Sequence, residues 1–297
     1  MNPNQLVLFA LGLVMLAACS NNDSNNVQDE LEAQLTEEAM ADTPEVDENL
    51  EKVKEIYYSL PSPLETSQLL KLSGAHFKYD ALHTINDVKN YTTSKAKAIN
   101  LGIYIADLSY CNVFHQQQHC VDYFAVTKNL GDDLGMGQVF SADILDRINN
   151  NLSNQDSVYF ILSELYWQAN DALQKSDMKA INGMVAAGLW VEGMHIAIES
   201  IESANESKEM LKQRIAEQRY IINELVPMIA SMNENGSLDD IVSDMKGIQN
   251  TFNNLQGTST EATLEENADG PDVIGGEQSV SISSDELKTL ADQIASL

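Results

Sequence analysis

Between Ala96 and Phe114 the chain reads Ala98, Ile99, Leu101, Gly102, Ile103, Tyr104, Ile105, Ala106, Leu108 and Tyr110. That segment is apolar at every angle around a helix axis. Such a helix needs neighbours on all sides, so it predicts a central element with other helices packed around it. Thr93 or Ser94 is placed to cap its start. Met178 to Ile201 repeats the pattern, and an internal echo links the two segments. Ala98-Ile99-Asn100 recurs as Ala180-Ile181-Asn182, and Gly102-Ile103-Tyr104-Ile105 as Gly188-Leu189-Trp190-Val191. The echo fits either a two-fold arrangement of helical hairpins around a shared core or two core helices using the same small-plus-aromatic packing.

The flanking segments carry helical signals of their own. Glu48 to Leu60 has Leu50, Val53, Ile56 and Tyr57 at helical spacing and is stopped by Pro61. Ser62-Pro63-Leu64-Glu65 restarts a helix as a capping box with proline at the first position. That helix runs to about Leu72, where Gly74 ends it. Residues 75–92 are irregular. Gln116-Gln117-Gln118 marks a turn after the apolar helix, followed by a return helix carrying Tyr123, Phe124 and Leu130. Further helices are expected from Ser141, over Ser157–Lys175, over Glu206–Met232 and from Ser237 to about Leu255. No segment alternates convincingly with period two. The expected class is all-α, a helical bundle or stacked helical hairpins.

The N-terminus supplies an address. Leu6 to Ala18 is an uninterrupted apolar run, too short for a mature membrane span of about 20 residues. It has the length of a secretory h-region, and it ends in Leu16-Ala17-Ala18-Cys19, which reads as the cleavage and lipidation site of a bacterial lipoprotein. Residues 1–18 are then the signal peptide and Cys19 the lipidated residue. Two or three acyl chains anchor stably, because each buried methylene contributes ~0.8 kcal/mol. Residues 19–45 are polar and acidic and read as a flexible tether, 46–256 as the helical domain, 257–283 as a disordered acidic linker, and 284–297 as a short terminal helix. Most of the net charge of −28 lies in the two tails. No region is basic enough to neutralise phosphates, so nucleic acid is not expected as a partner.

The residues from Ile56-Tyr57-Tyr58-Ser59-Leu60-Pro61-Ser62-Pro63-Leu64-Glu65 through Leu101-Gly102-Ile103-Tyr104-Ile105-Ala106-Asp107-Leu108 resemble a family of helical bacterial envelope lipoproteins. The resemblance spans most of the body. It brings no assigned activity and supplies no site residues.

Candidate chemistry is sparse. Cys111, His115 and His119 would share one face of a continuous helix at i, i+4 and i+8, as metal or haem ligands must. If the chain turns at the glutamines instead, Cys111 and Cys120 stand at facing ends of a hairpin, where an oxidising envelope favours a disulfide. Two separate thiols are the other alternative. Asp107 is the lone charge of the first apolar helix and Glu192 holds the same place in the second. Buried on facing helices, these two carboxyls can share a proton, hold a cation, or find a cap, tyrosine or lysine. Tyr104 and Trp190 are candidates for lining an apolar pocket, or for simple core packing. Three S-x-x-K matches lack their companion motifs, and phosphate-loop, dinucleotide and zinc-protease fingerprints are absent.

The expectation is a lipid-anchored, palmitate-bearing lipoprotein of the cell envelope, on the outer rather than the inner membrane, because Ser20 and not Asp follows Cys19. Its body is expected to be a non-catalytic helical module that binds or scaffolds an envelope protein, with no cofactor. Two alternatives stand beside it: a small-ligand receptor with an apolar pocket between helices, and a metal- or haem-binding protein using Cys111, His115 and His119.

Overall fold

The computed structural model describes residues 62–175, 178–204, 208–259, 263–265, 273–275 and 278–297. The expected signal peptide, Cys19, tether and Glu48–Leu60 helix lie outside the described residues. The rest is all-α. Its helices are α1 (Pro63–Leu72), α2 (Ser94–Val113), α3 (Gln117–Asp133), α4 (Ala142–Asn151), α5 (Gln155–Lys175), α6 (Lys179–Ser200), α7 (Lys208–Ser231), α8 (Asp239–Asn253) and α9 (Ser284–Ala295).

Local signals set most of the boundaries. The Ser62 hydroxyl accepts from the Glu65 amide at 3.3 Å while the Ser62 amide donates to the Glu65 carboxylate at 2.6 Å, the reciprocal pairing of a capping box. Gly74 then takes a positive φ of 78° and ends the run. Thr93 caps α2, accepting from the Ala96 amide at 3.1 Å. The chain turns between α2 and α3 through His115 at φ 61°, so 96–124 is a hairpin and not one long helix.

The two apolar helices form the centre. α2 packs along α6 and against α1, α3 and α5; α6 also packs against α7 and α9. Gly102 and Gly188 lie where the α2 and α6 backbones come closest. α6 is long and apolar enough to cross a membrane, yet 72% of its most apolar window is buried inside the protein, as a core helix requires. Irregular residues 75–92, with two short 3-10 turns, run over α2 and are fastened to it and to α3 by tyrosine hydroxyls. Tyr104 donates to the Thr84 carbonyl at 2.8 Å, Tyr110 to that of His76 at 3.2 Å, and Tyr123 to that of His83 at 2.7 Å. Each ring is buried while its polar tip reaches the strap's backbone.

Short strands β1 (Gly257–Ser259), β2 (Thr263–Glu265), β3 (Val273–Gly275) and β4 (Gln278–Val280) form two antiparallel pairs, β1 with β4 and β2 with β3. Val280 and Ile282 are buried. They sit two residues apart, as one face of an extended segment must, and they bring the chain back to the body. The terminal helix is therefore part of the core: α9 packs on α8 and α6 and buries Leu290 and Ile294. Its cap is Ser283, paired with Glu286.

Candidate functional site: a buried acidic centre and an apolar cleft

Asp107 stands on α2, one and a half turns beyond Gly102, and Glu192 stands one turn beyond Gly188 on α6. The glycines draw the two helices together, and both carboxyls enter the same interior space, Asp107 at 0% exposure and Glu192 at 2%. The strap adds a third group. The His83 amide donates to Asp107 Oδ2 at 3.3 Å, and His83 Nδ1 lies 3.2 Å from Glu192 Oε2. One donor atom from each of the three side chains lies within 4.8 Å of the others. His83 is held in register by the Tyr123 hydroxyl on its carbonyl and by Tyr104 on the next one.

The electrostatics follow from the burial. Loss of water pushes the Asp107 carboxyl well above the ordinary carboxylate range, and the nearby Glu192 pushes it the same way. His83 moves upward too: its bond to Glu192 favours the imidazolium and outweighs the burial that opposes it. Asp107 Oδ1 and Glu192 Oε1 have no hydrogen-bond partner, which is uncommon for oxygens so deeply buried.

The other sequence-derived candidates separate. Cys111 and Cys120 are both buried and unbridged, so the expected disulfide is not formed. Burial raises both thiols, Cys120 to about 12. The Cys111, His115 and His119 ligand set is also not assembled, because the turn after Val113 removes the shared helix face. His115 Nε2 instead lies 2.7 Å from Lys71 Nζ; desolvation, and next to it the neighbouring ammonium, lowers its pKa. His119 stacks on Tyr79 and Phe77, with ring centroids 4.5 and 6.1 Å away. Tyr104 and Trp190 do not share a pocket: Tyr104 is sealed beneath the strap against Tyr123.

Trp190 does line a cleft. It lies between α1, α2, α5, α6 and α7 and forms a cavity of about 50 Å³ that opens to solvent. That is well below the size of pockets for drug-sized ligands, so it suits a small apolar group. Its wall is mostly apolar, with Leu70, Leu189, Met194 and Leu225 beside the indole, and its polar groups are few. The Trp190 Nε1 donates to Gln218 Oε1 at 3.2 Å, which fixes the ring. Gly193 lies on the cleft wall, and a Cβ there would meet nothing closer than the Thr66 methyl at 3.8 Å. A mid-helix glycine costs about 1 kcal/mol against alanine. At Gly102 and Gly188 crowding explains that cost.

The described part of the chain is thus a mainly helical body with an internal carboxyl–carboxyl–imidazole centre and a separate apolar cleft. Comparison with protein-family models, with curated proteins and with solved structures gave no significant match.

Proposed function

We propose that this protein is a lipid-anchored lipoprotein of the cell envelope whose helical body is a non-catalytic receptor for a small apolar ligand, held in the cleft beside Trp190. The observation that carries the reading is the cleft: a small apolar cavity open to solvent, one indole fixed by a single hydrogen bond, and a glycine left where a side chain would fit. The lipobox Leu16-Ala17-Ala18-Cys19 supports the anchor, and the acidic stretch after it would act as a tether from the membrane.

Native mass spectrometry of the full protein released from membranes by mild detergent tests the receptor reading. The expected result is a non-covalent adduct of low mass that is absent from a Gly193→Leu variant. Protein that carries no adduct and takes up no apolar compound offered to it would overturn the reading. Palmitate labelling tests the anchor separately: label should enter the wild type and not Cys19→Ala.

A further inference from the structure

We propose that His83, Asp107 and Glu192 form a binding site for one divalent transition-metal cation, for which Zn2+ is the reference ion. The site is distinct from the cleft and shares no residue with it, so the two readings stand or fall separately.

Three observations carry the proposal. The first is the donor set. One imidazole nitrogen and two carboxylate oxygens are the ligands that borderline first-row cations accept. They come from three elements far apart in sequence, the strap, α2 and α6, so the fold and not chain proximity gathers them. Two carboxylates also neutralise a doubly charged ion, as a buried centre requires.

The second is geometry. Metal bonds of about 2.0–2.2 Å place neighbouring ligand atoms roughly 3–3.5 Å apart in a tetrahedral site. His83 Nδ1 and Glu192 Oε2 are already at 3.2 Å, and the whole set fits within 4.8 Å. His83 sits on an irregular strap, which can give the small remaining movement.

The third is what surrounds the donors. Asp107 Oδ1 and Glu192 Oε1 are buried with no hydrogen-bond partner, although nearly every such atom in a folded protein finds one. Around them is the outer support that metal sites use. The Tyr123 hydroxyl fixes the His83 carbonyl, and the His83 amide fixes the Asp107 carboxyl. The His83 side chain is 40% exposed and offers an entry path from solvent.

The test uses the full chain, stripped with a chelator and dialysed against Zn2+, with metal measured by inductively coupled plasma mass spectrometry. One Zn2+ per chain is expected, together with a rise in the thermal midpoint. His83→Ala and Asp107→Asn should each lower retained Zn2+ more than ten-fold and abolish the thermal shift. His115→Ala, which alters an exposed histidine elsewhere, should keep the full equivalent. Asn matches the shape of a protonated Asp, so Asp107→Asn should stay folded by circular dichroism. Should it fail to fold, the half-exposed His83 variant decides alone. Wild-type protein retaining less than a tenth of an equivalent, or a folded His83→Ala retaining a full one, would overturn the site.

Discussion

Gly102 and Gly188 occupy reciprocal positions in the crossing of α2 and α6. A Cβ on Gly102 would fall 2.1 Å from the Val185 carbonyl oxygen, and a Cβ on Gly188 would fall 2.1 Å from that of Ile99. Each glycine meets the residue three positions before the other one. The internal echo in the sequence is therefore a two-fold contact in space, and it sets how near Asp107 and Glu192 come. Because backbone and not a flexible side chain stands in the way, neither helix can yield locally. Gly102→Ala and Gly188→Ala should each destabilise by about 3 kcal/mol, at the upper end of overpacking costs. The double variant should cost clearly less than the sum, since one separation of the helices relieves both clashes. Urea denaturation of the four proteins in this cycle checks it.

The two buried thiols should be inert in the folded protein. Burial holds Cys111 and Cys120 in the protonated form, which is neither nucleophile nor good ligand. Iodoacetamide under native conditions at pH 8 should leave both unlabelled. The same reagent in denaturant without reductant should label both, as peptide mass spectrometry would read. A bridge would block labelling in the second experiment.

The strap should depend on its tyrosine fastenings. Tyr123→Phe removes the hydroxyl that binds the His83 carbonyl at 2.7 Å and keeps the ring packing. A loss of about 1 kcal/mol is expected. Amide exchange should quicken around residues 82–84 and much less in α6. Equal quickening in both would show that the hydroxyl supports the whole core.

In chelator, the acidic centre gives stability a definite pH slope. The raised Asp107 makes the folded state hold a proton that the unfolded chain releases near pH 4, so stability falls as pH rises above about 4. His83 has the same sign. Its contribution is fully present below about pH 6.5 and is lost as pH rises through its raised folded value. Asp240 and Glu286, both lowered by hydrogen bonds, act in the opposite sense, but Asp240 is exposed and Glu286 only partly buried, so they count for little. Asp107→Asn should therefore flatten the slope that begins near pH 4 while keeping the one beginning near pH 6.5. Denaturant midpoints across pH 4–9 for the two proteins check this.

Much of the fold was legible because its signals are local. The Ser62 capping box, the Thr93 cap, the glutamine turn and the two all-round apolar helices each declare themselves within a few residues. Asp107 and Glu192 stood out as the lone charges of those helices. His83 did not, because the strap has no periodicity and its position depends on contacts formed only after folding. One signal did point to it: Tyr104, Tyr110 and Tyr123 on apolar helices each needed an acceptor, and the strap's carbonyls supply them. The return of the C-terminal segment was likewise written in Val280 and Ile282, two apolar residues spaced by two among serines. Cysteine spacing alone could not separate bridge from free thiols, since both fit a hairpin. Trp190 was named as a pocket candidate, but the other walls of the cleft were not legible, because it arises where several helices diverge.

The most direct test of the receptor reading is an apolar probe read through Trp190. In a Trp167→Phe background, Trp190 is the sole tryptophan, and uncharged N-phenyl-1-naphthylamine can be titrated against its emission. The account predicts saturable binding of one probe per chain with Trp190 quenched. Gly193→Ala should leave that binding intact and stabilise α6 by up to about 1 kcal/mol, while Gly193→Leu should abolish it in a protein that still folds. Unsaturable binding in the wild type, or undiminished binding in folded Gly193→Leu, would contradict it.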